Sequence, residues 1–78
     1  MKLISVNSSN IAQVGYEDDV YITMNRKISV LRVVFKHGGV YDYYRVPKHI
    51  YNALIKADSA GMYFHKHIKN NFAYEKVK

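Results

Sequence analysis

The stretch from residue 28 to residue 46 constrains the fold most, because two strand-like runs flank a pair of glycines. Residues 28–36 (ISVLRVVFK) are rich in β-branched side chains, which favour strands. Gly38 and Gly39 follow, and glycine readily adopts the positive φ that a tight hairpin turn needs. Residues 40–46 (VYDYYRV) are again strand-like and carry three tyrosines. The sequence therefore predicts an antiparallel hairpin at the centre of the molecule.

Alternation along a strand assigns each hairpin residue to one of two faces. A connecting loop of two or four residues places Phe35 on the same face as Val40 or Asp42. The predicted core face then holds Leu31, Val33, Phe35, Val40, Tyr44 and Val46. The predicted opposite face holds Val30, Arg32, Val34, Tyr41, Tyr43 and Arg45. On this assignment Tyr41 and Tyr43 are neighbours flanked by two arginines.

Shorter patterns predict the rest of the N-terminal half. Residues 7–10 (NSSN) are typical of a turn, and residues 11–16 (IAQVGY) predict a short strand. The acidic triplet at residues 17–19 predicts a loop. Residues 20–24 (VYITM) predict a second short strand, followed by a turn at residues 25–27.

The C-terminal half has the patterns of two helices and a closing strand. Pro47 suits a first helical position, and residues 47–57 place their apolar side chains on one stripe. A second helix is predicted to begin after Asp58 and Ser59, either of which can cap it, and to end near Ile68. Residues 72–77 predict an edge strand.

These elements predict an α+β fold in one domain covering residues 1–78, with about four antiparallel strands packed against two helices. The 12 basic and 6 acidic residues give a net charge of +6, which favours anionic partners. Solubility alone also explains such a charge. The chain has no cysteine, no apolar run long enough to cross a bilayer and no secretory signal. We therefore expect a cytoplasmic protein with no membrane partner.

Several motifs together resemble the KTSC domain, a short module named for its occurrence at the C-terminus of some lysyl-tRNA synthetases and also found alone in bacteria and phages. In chain order they are Ser8-Ser9-Asn10-Ile11, Gly15-Tyr16, the Gly-Gly-Val-Tyr-x-Tyr run that ends at Tyr43, Val46-Pro47, Ala57-Asp58-Ser59-x-Gly61-x-Tyr63-Phe64, Ile68 and Tyr74. The resemblance covers nearly the whole chain.

The resemblance implies RNA binding only through the association with a tRNA enzyme, because the family has no settled activity. Two features depart from its pattern. Residues 17–27 are longer than the tight connection usual there, which suggests an added hairpin. His65 stands where asparagine is more typical.

Tyr41 and Tyr43 beside arginines match the way in which single-stranded nucleic acids are bound, with bases on rings and cations on phosphates. We predict phosphate contacts from Arg32, Arg45, Lys48 and Lys66. The alternative is that the helices cover this face and that both tyrosines belong to the core.

The start of the second helix is a candidate phosphate site, because its free N–H groups lie near Ser59 and Gly61, with Lys56 and Lys66 close in sequence. An ordinary helix cap is the alternative. His65 and His67 point apart on a helix, and the acidic triplet is typical of a solvated loop, so we predict no metal site.

We expect a binding protein without cofactors rather than an enzyme, since no nucleophile motif frames the serines. The preferred partner is RNA or another single-stranded nucleic acid. A phage-type anti-defence protein that sequesters a cyclic signalling nucleotide, as a homo-oligomer, is the first alternative. An inhibitor of a host protein, acting through residues 17–27, is the second.

Overall fold

The computed structural model describes residues 1–78 and confirms the α+β class, with five strands and two helices. The strands are β1 (Leu3–Ser5), β2 (Ile11–Thr23), β3 (Arg26–Phe35), β4 (Val40–Tyr44) and β5 (Tyr74–Lys76). They form one antiparallel sheet in the order β1-β2-β3-β4-β5. The helices α1 (Lys48–Lys56) and α2 (Ala60–His67) lie between β4 and β5 in the chain. Neither helix is long enough to cross a membrane.

The core lies between the helices and one face of the sheet. Its fully buried side chains are Ile11, Val14, Leu31, Val33, Val46, Leu54 and Ile68. Tyr16 of β2 stacks on Tyr51 of α1 with 5.1 Å between ring centroids, and its hydroxyl donates to the Val46 carbonyl at 2.6 Å. Burial raises the pKa of both Tyr16 and Tyr51. This contact fixes α1 against the sheet.

The predicted faces of the β3–β4 hairpin are wrong for β4. Val34 pairs with Val40, and Phe35 N–H donates to the Gly39 carbonyl at 3.1 Å, so the loop has three residues, 36–38. Gly38 and Gly39 adopt φ of 101° and 93°, as the glycine pattern predicts. An odd loop length moves every β4 side chain to the other face. Tyr41 and Tyr43 therefore face the helices, and Val40 and Tyr44 face away.

Val46 lies on the predicted core side, because the backbone conformation of Arg45 interrupts the alternation. The Arg45 φ of 60° lies in the left-handed region, directly after β4. Val46 consequently enters the core, while Arg45 is exposed.

The acidic triplet lies inside a strand and not in the predicted loop. β2 is continuous through these residues, and its register with β3 shifts between Glu17 and Val20, which marks a β-bulge. Asp19 has φ of 57°, a conformation that aspartate tolerates. The hairpin turn falls at residues 24–25, one position before the prediction, because Thr23 still pairs with Arg26.

Residues 20–28 form the far end of the β2–β3 hairpin, called here the distal ribbon. β1 pairs with β2 only at residues 13–15, and β4 pairs with β3 only at residues 30–34, so the ribbon has no neighbouring strand. Its Tyr21 and Met24 are 63% and 92% exposed. Residues 17–27 therefore form no separate hairpin but extend the β2–β3 hairpin outward.

Candidate functional site

The helix-facing tyrosines of β4 form the floor of a cavity of about 430 Å³, called here the tyrosine pocket. Five aromatic side chains line it: Phe35, Tyr41, Tyr43, Phe64 and Tyr74. Asn10, His65, Lys69 and Asn70 supply the polar part of the lining, and Gly38 and Gly61 complete it. The cavity therefore brings together the β3–β4 loop, α2, the start of β2 and the start of β5.

The aromatic rings of the pocket hold one another in place. Tyr43 stacks on Tyr74 at 5.3 Å and meets Phe64 edge-to-face, also at 5.3 Å. Tyr41 lies 6.0 Å from Tyr74 and packs edge-to-face on Phe35 at 5.6 Å. These separations are typical of favourable aromatic pairs. Tyr74 is 57% exposed and thus offers ring surface to a ligand.

The hydroxyl of Tyr43 is unusual because it lies on a nearly buried residue and has no hydrogen-bond partner. The Tyr43 residue is only 4% exposed, yet its hydroxyl has no hydrogen-bond partner in the chain, unlike those of Tyr16 and Tyr44. No side-chain oxygen is both sealed from solvent and without a partner, so this hydroxyl keeps some contact with solvent. Burial, then the nearby Tyr74 and Tyr41, raise the pKa of Tyr43 to about 12. The pocket thus presents a neutral phenol ready to donate or accept.

The charges around the pocket are all basic. No aspartate or glutamate lines it, whereas Lys69 and His65 do. Pairing of Tyr41 with Lys76 and of Tyr43 with Tyr74 places Lys76 on the pocket face of β5. Lys36, in the β3–β4 loop, donates to the Ser8 carbonyl at 2.7 Å. The side of the sheet with the exposed aromatic surface is therefore suited to an anion.

The opposite face of the sheet, called here the outer face, uses its polar groups internally. Arg32 makes two hydrogen bonds to the Asp42 carboxylate, at 2.7 and 2.9 Å, and the Asp42 side chain is only 9% exposed. Tyr44 donates to Glu75 at 2.7 Å, and this hydrogen bond is the main cause that raises the pKa of Tyr44 to about 12. The predicted surface of Tyr41, Tyr43 and Arg32 therefore does not exist, because the tyrosines and the arginine lie on opposite faces.

Two other predicted phosphate contacts lie away from the tyrosine pocket. Arg45 lines a shallow cavity beside Tyr44 and Glu75, next to the distal ribbon. Lys48 is exposed on the first turn of α1 and lines none of the cavities. The structure brings neither residue together with Tyr41 and Tyr43.

The start of α2 has the features of a helix cap. The Ser59 hydroxyl accepts from Met62 N–H at 3.2 Å, and Ala60 N–H donates to the Asn7 carbonyl at 2.9 Å. Gly61 allows a close approach: a Cβ there would lie 2.7 Å from Asn10 Oδ1 and 2.8 Å from Ser8 Oγ. The predicted phosphate site is thus taken up by the turn at residues 7–10, while Lys66 stays exposed on α2.

That turn holds itself together as the sequence predicts. Ser8 Oγ accepts from Ile11 N–H at 3.0 Å and donates to Asn10 Oδ1 at 2.8 Å.

No three His, Asp or Glu side chains of the chain converge where they could hold a metal ion.

Sequence reasoning missed Tyr74 and Lys69 as pocket residues, and it missed Lys76 as their neighbour on the same face of the sheet. The position of a three-residue edge strand against β4 decides which of its side chains face the tyrosines, and no local pattern encodes that register. The one available signal is Tyr74, which belongs to the motifs of the resemblance.

Comparison with protein families finds a match to the model of the KTSC domain over residues 7–72. Seven of the pocket residues stand in the motifs quoted for that resemblance: Asn10, Gly38, Tyr41, Tyr43, Gly61, Phe64 and Tyr74. The tyrosine pocket therefore draws residues from several of these motifs, and Tyr74 lies beyond the matched range.

Relatives of this chain include parts of much larger proteins. A lysine–tRNA ligase of Trichormus variabilis is 45% identical over 47 residues, which are 60% of this chain and 8% of that protein. A lysine–tRNA ligase of Nostoc punctiforme is 33% identical over 75 residues, 96% of this chain and 12% of the ligase. The chain thus spans about a tenth of these enzymes.

Two similar proteins are of comparable size. An uncharacterized protein of Stutzerimonas stutzeri is 33% identical over 69 residues, covering 88% of this chain and 86% of that protein. The crystal structure of a KTSC domain protein from Yersinia pestis superimposes with a TM-score of 0.82 at 31% identity, covering 99% of this chain and 97% of the other. The whole chain therefore shares its fold with a solved relative.

Proposed function

Because this chain belongs to the KTSC domain family, we propose that it binds unpaired RNA by taking one base into the tyrosine pocket. The observation that carries the proposal is the free hydroxyl of the nearly buried Tyr43, set in an aromatic floor. Unpaired bases bind proteins by stacking on aromatic rings and by hydrogen bonds to their edges. A phenol can pair with either a donor or an acceptor of a base.

The charges beside the pocket support a phosphate-bearing ligand. Lys69 lines the cavity, and Lys76 lies on the same face of the sheet as Tyr41. The absence of acidic side chains from the lining leaves this positive charge uncompensated locally. RNA is also favoured by the likeness to lysine–tRNA ligases, whose name associates those enzymes with tRNA.

The proposal is tested by fluorescence anisotropy with a labelled single-stranded RNA of mixed sequence at several salt concentrations. The pocket variant is Lys69→Gln/Lys76→Gln, and the matched control is Arg45→Gln/Lys48→Gln, which removes the same charge elsewhere. We expect binding to weaken with salt with a slope of roughly 0.7 per phosphate contacted. The pocket variant removes two such contacts and is expected to lower that slope by about 1.4, and the control to leave it unchanged.

An equal decrease of the salt slope in both double variants would mean that net charge alone drives RNA binding, and the proposal would be wrong. Absence of binding at low salt would equally exclude it. Circular dichroism melting of both variants checks that the fold is retained.

A second candidate is a small signalling nucleotide, such as a cyclic dinucleotide, bound in place of RNA. The observation that favours it is the pocket volume of about 430 Å³, which lies within the range of small-molecule sites, roughly 300–1,000 Å³. Competition by unlabelled cyclic dinucleotide in the same assay, together with thermal stabilisation by it, would favour this anti-defence role. Such binding is expected to depend less on salt, since fewer phosphates are contacted.

A third candidate is inhibition of a protein partner through the distal ribbon. The observation that favours it is the exposure of Tyr21 and Met24 at the ribbon end. This role predicts no binding to either nucleic acid or nucleotide in the anisotropy assay.

A further inference from the structure

A second cavity adjoins the tyrosine pocket along α2. This α2 cleft has a volume of about 860 Å³ and includes Met62, Tyr63, Lys66 and His67 in its lining. Asn10, Gly61 and His65 line both cavities. The two cavities are therefore neighbours across a single row of α2 residues.

Gly61 and Asn10 meet at the wall between the two cavities. Gly61 and His65 lie one turn apart on the side of α2 that borders the pocket, and Lys69 follows just after the helix ends. Gly61 projects no side chain, and the turn at residues 7–10 approaches so closely that a Cβ would lie 2.7 Å from Asn10 Oδ1. A chain that leaves the tyrosine pocket therefore passes on the solvent side of this contact, beside the exposed His65.

The α2 cleft offers surfaces that suit a second nucleotide. Met62 is 75% exposed, and the rings of Tyr63 and His67 lie 4.5 Å apart at an angle of 38°, which gives a patch of aromatic and apolar surface. Lys66 and His65 supply hydrogen-bond donors. Asp58 is the one acidic residue in the lining. Apolar rings with basic neighbours are what single-stranded nucleic acid contacts in proteins.

We propose that the ligand unit of this protein is a dinucleotide step of unpaired RNA, with one base in the tyrosine pocket and the next in the α2 cleft. The linking phosphate crosses the rim that the two cavities share, beside His65. This inference rests on the proposed function, because it requires the tyrosine pocket to take a nucleotide. It adds the minimal length of the ligand and the path that the strand follows.

The test compares AMP, ADP and the 5′-phosphorylated adenylyl dinucleotide by NMR titration of the whole chain. ADP controls for charge, since it adds a phosphate without a second base. The cleft variant is Met62→Glu, and the matched control is Met24→Glu on the distal ribbon, where the methionine is also exposed. We expect the dinucleotide to bind at least tenfold more tightly than ADP. Met62→Glu is expected to remove that advantage while AMP affinity stays within twofold, and Met24→Glu to change nothing.

Equal affinity of ADP and the dinucleotide would overturn the inference and leave the tyrosine pocket as a single-nucleotide site. An equal loss of AMP and dinucleotide affinity in Met62→Glu would also overturn it. If no nucleotide or dinucleotide binds and the RNA assay is also negative, the proposed function itself fails, so the two failures are distinguishable.

Discussion

The two faces of β4 and β5 consist of alternating residues of the same strands, yet they use their polar groups differently. On the outer face, Asp42 binds Arg32 and Glu75 binds Tyr44, so each polar group has a partner. On the pocket face, the hydroxyls of Tyr41, Tyr43 and Tyr74 have none within the chain. The outer face is therefore built for stability, and the pocket face leaves hydrogen-bonding capacity for a ligand.

The largest effect on stability is expected where the outer-face ion pair is broken. Arg32→Ala leaves the Asp42 carboxylate nearly buried without its partner, at a cost of about 2 kcal/mol in the free energy of unfolding. The cost falls below that of fully buried pairs because the Arg32 side chain is 36% exposed. Urea denaturation measures it. RNA affinity is expected to stay unchanged, and a marked loss of affinity would show that the outer face also takes part in binding.

The largest effect on binding is expected at the exposed ring of the pocket. Tyr74→Ala removes a stacking surface worth about 1–2 kcal/mol, which corresponds to a roughly 5- to 30-fold loss of affinity for single-stranded RNA. Tyr21→Ala is the matched control, because Tyr21 is similarly exposed on the distal ribbon. The anisotropy assay compares the two variants, and a similar loss in both would contradict a specific pocket.

Smaller effects are expected when the hydroxyls of Tyr44 and Tyr43 are removed, one on stability and the other on RNA affinity. Tyr44→Phe loses the hydrogen bond to Glu75 and is expected to lower stability by about 1 kcal/mol with RNA affinity unchanged. Tyr43→Phe removes an unpaired hydroxyl, so we expect stability to change by less than about 0.5 kcal/mol and RNA affinity to fall roughly fivefold. Thermal melts and anisotropy measure both variants. A loss of RNA affinity in Tyr44→Phe together with a loss of stability in Tyr43→Phe would contradict the difference between the two faces.

The smallest effect is expected in alkaline titration, because Tyr43 and Tyr44 reach pKa values of about 12 for different reasons. Glu75→Gln is expected to move the pKa of Tyr44 back toward 10 and to leave the burial-raised pKa of Tyr43 in place. The signal is the phenolate absorbance, and the effect is small because only one of the eight tyrosines changes its pKa. An unchanged high-pH phase would mean that Glu75 does not control Tyr44.

The same pKa values set the direction of stability with pH. A phenol whose folded pKa is raised stays protonated in the native state after the unfolded chain has begun to ionise. Its contribution to stability is therefore complete below about pH 10 and is lost as the pH rises toward 12. The loss is expected to be shallower in Glu75→Gln, which urea denaturation across that range would measure.

Much of the fold could be predicted because its signals are local. Ser59 caps α2, and Gly38 and Gly39 take positive φ between β3 and β4, as their residue types indicate. β1 was missed because three residues at a sheet edge carry too little pattern. The predicted open face of Tyr41 and Tyr43 beside arginines was wrong, because both tyrosines face the helices, as the alternative predicts, and Tyr43 belongs to the core.

The sequence by itself determined which segments become strands and helices, since β-branched runs, helical apolar spacing and capping residues act within a few positions. Only the tertiary structure decided which face each tyrosine occupies. One residue in the loop between Phe35 and Gly39 reverses every side chain of β4, and the register of β5 brings Tyr74 and Lys76 beside Tyr43 and Tyr41. Register depends on pairing between distant segments, because a shift of one residue exchanges the buried and exposed sets as a whole.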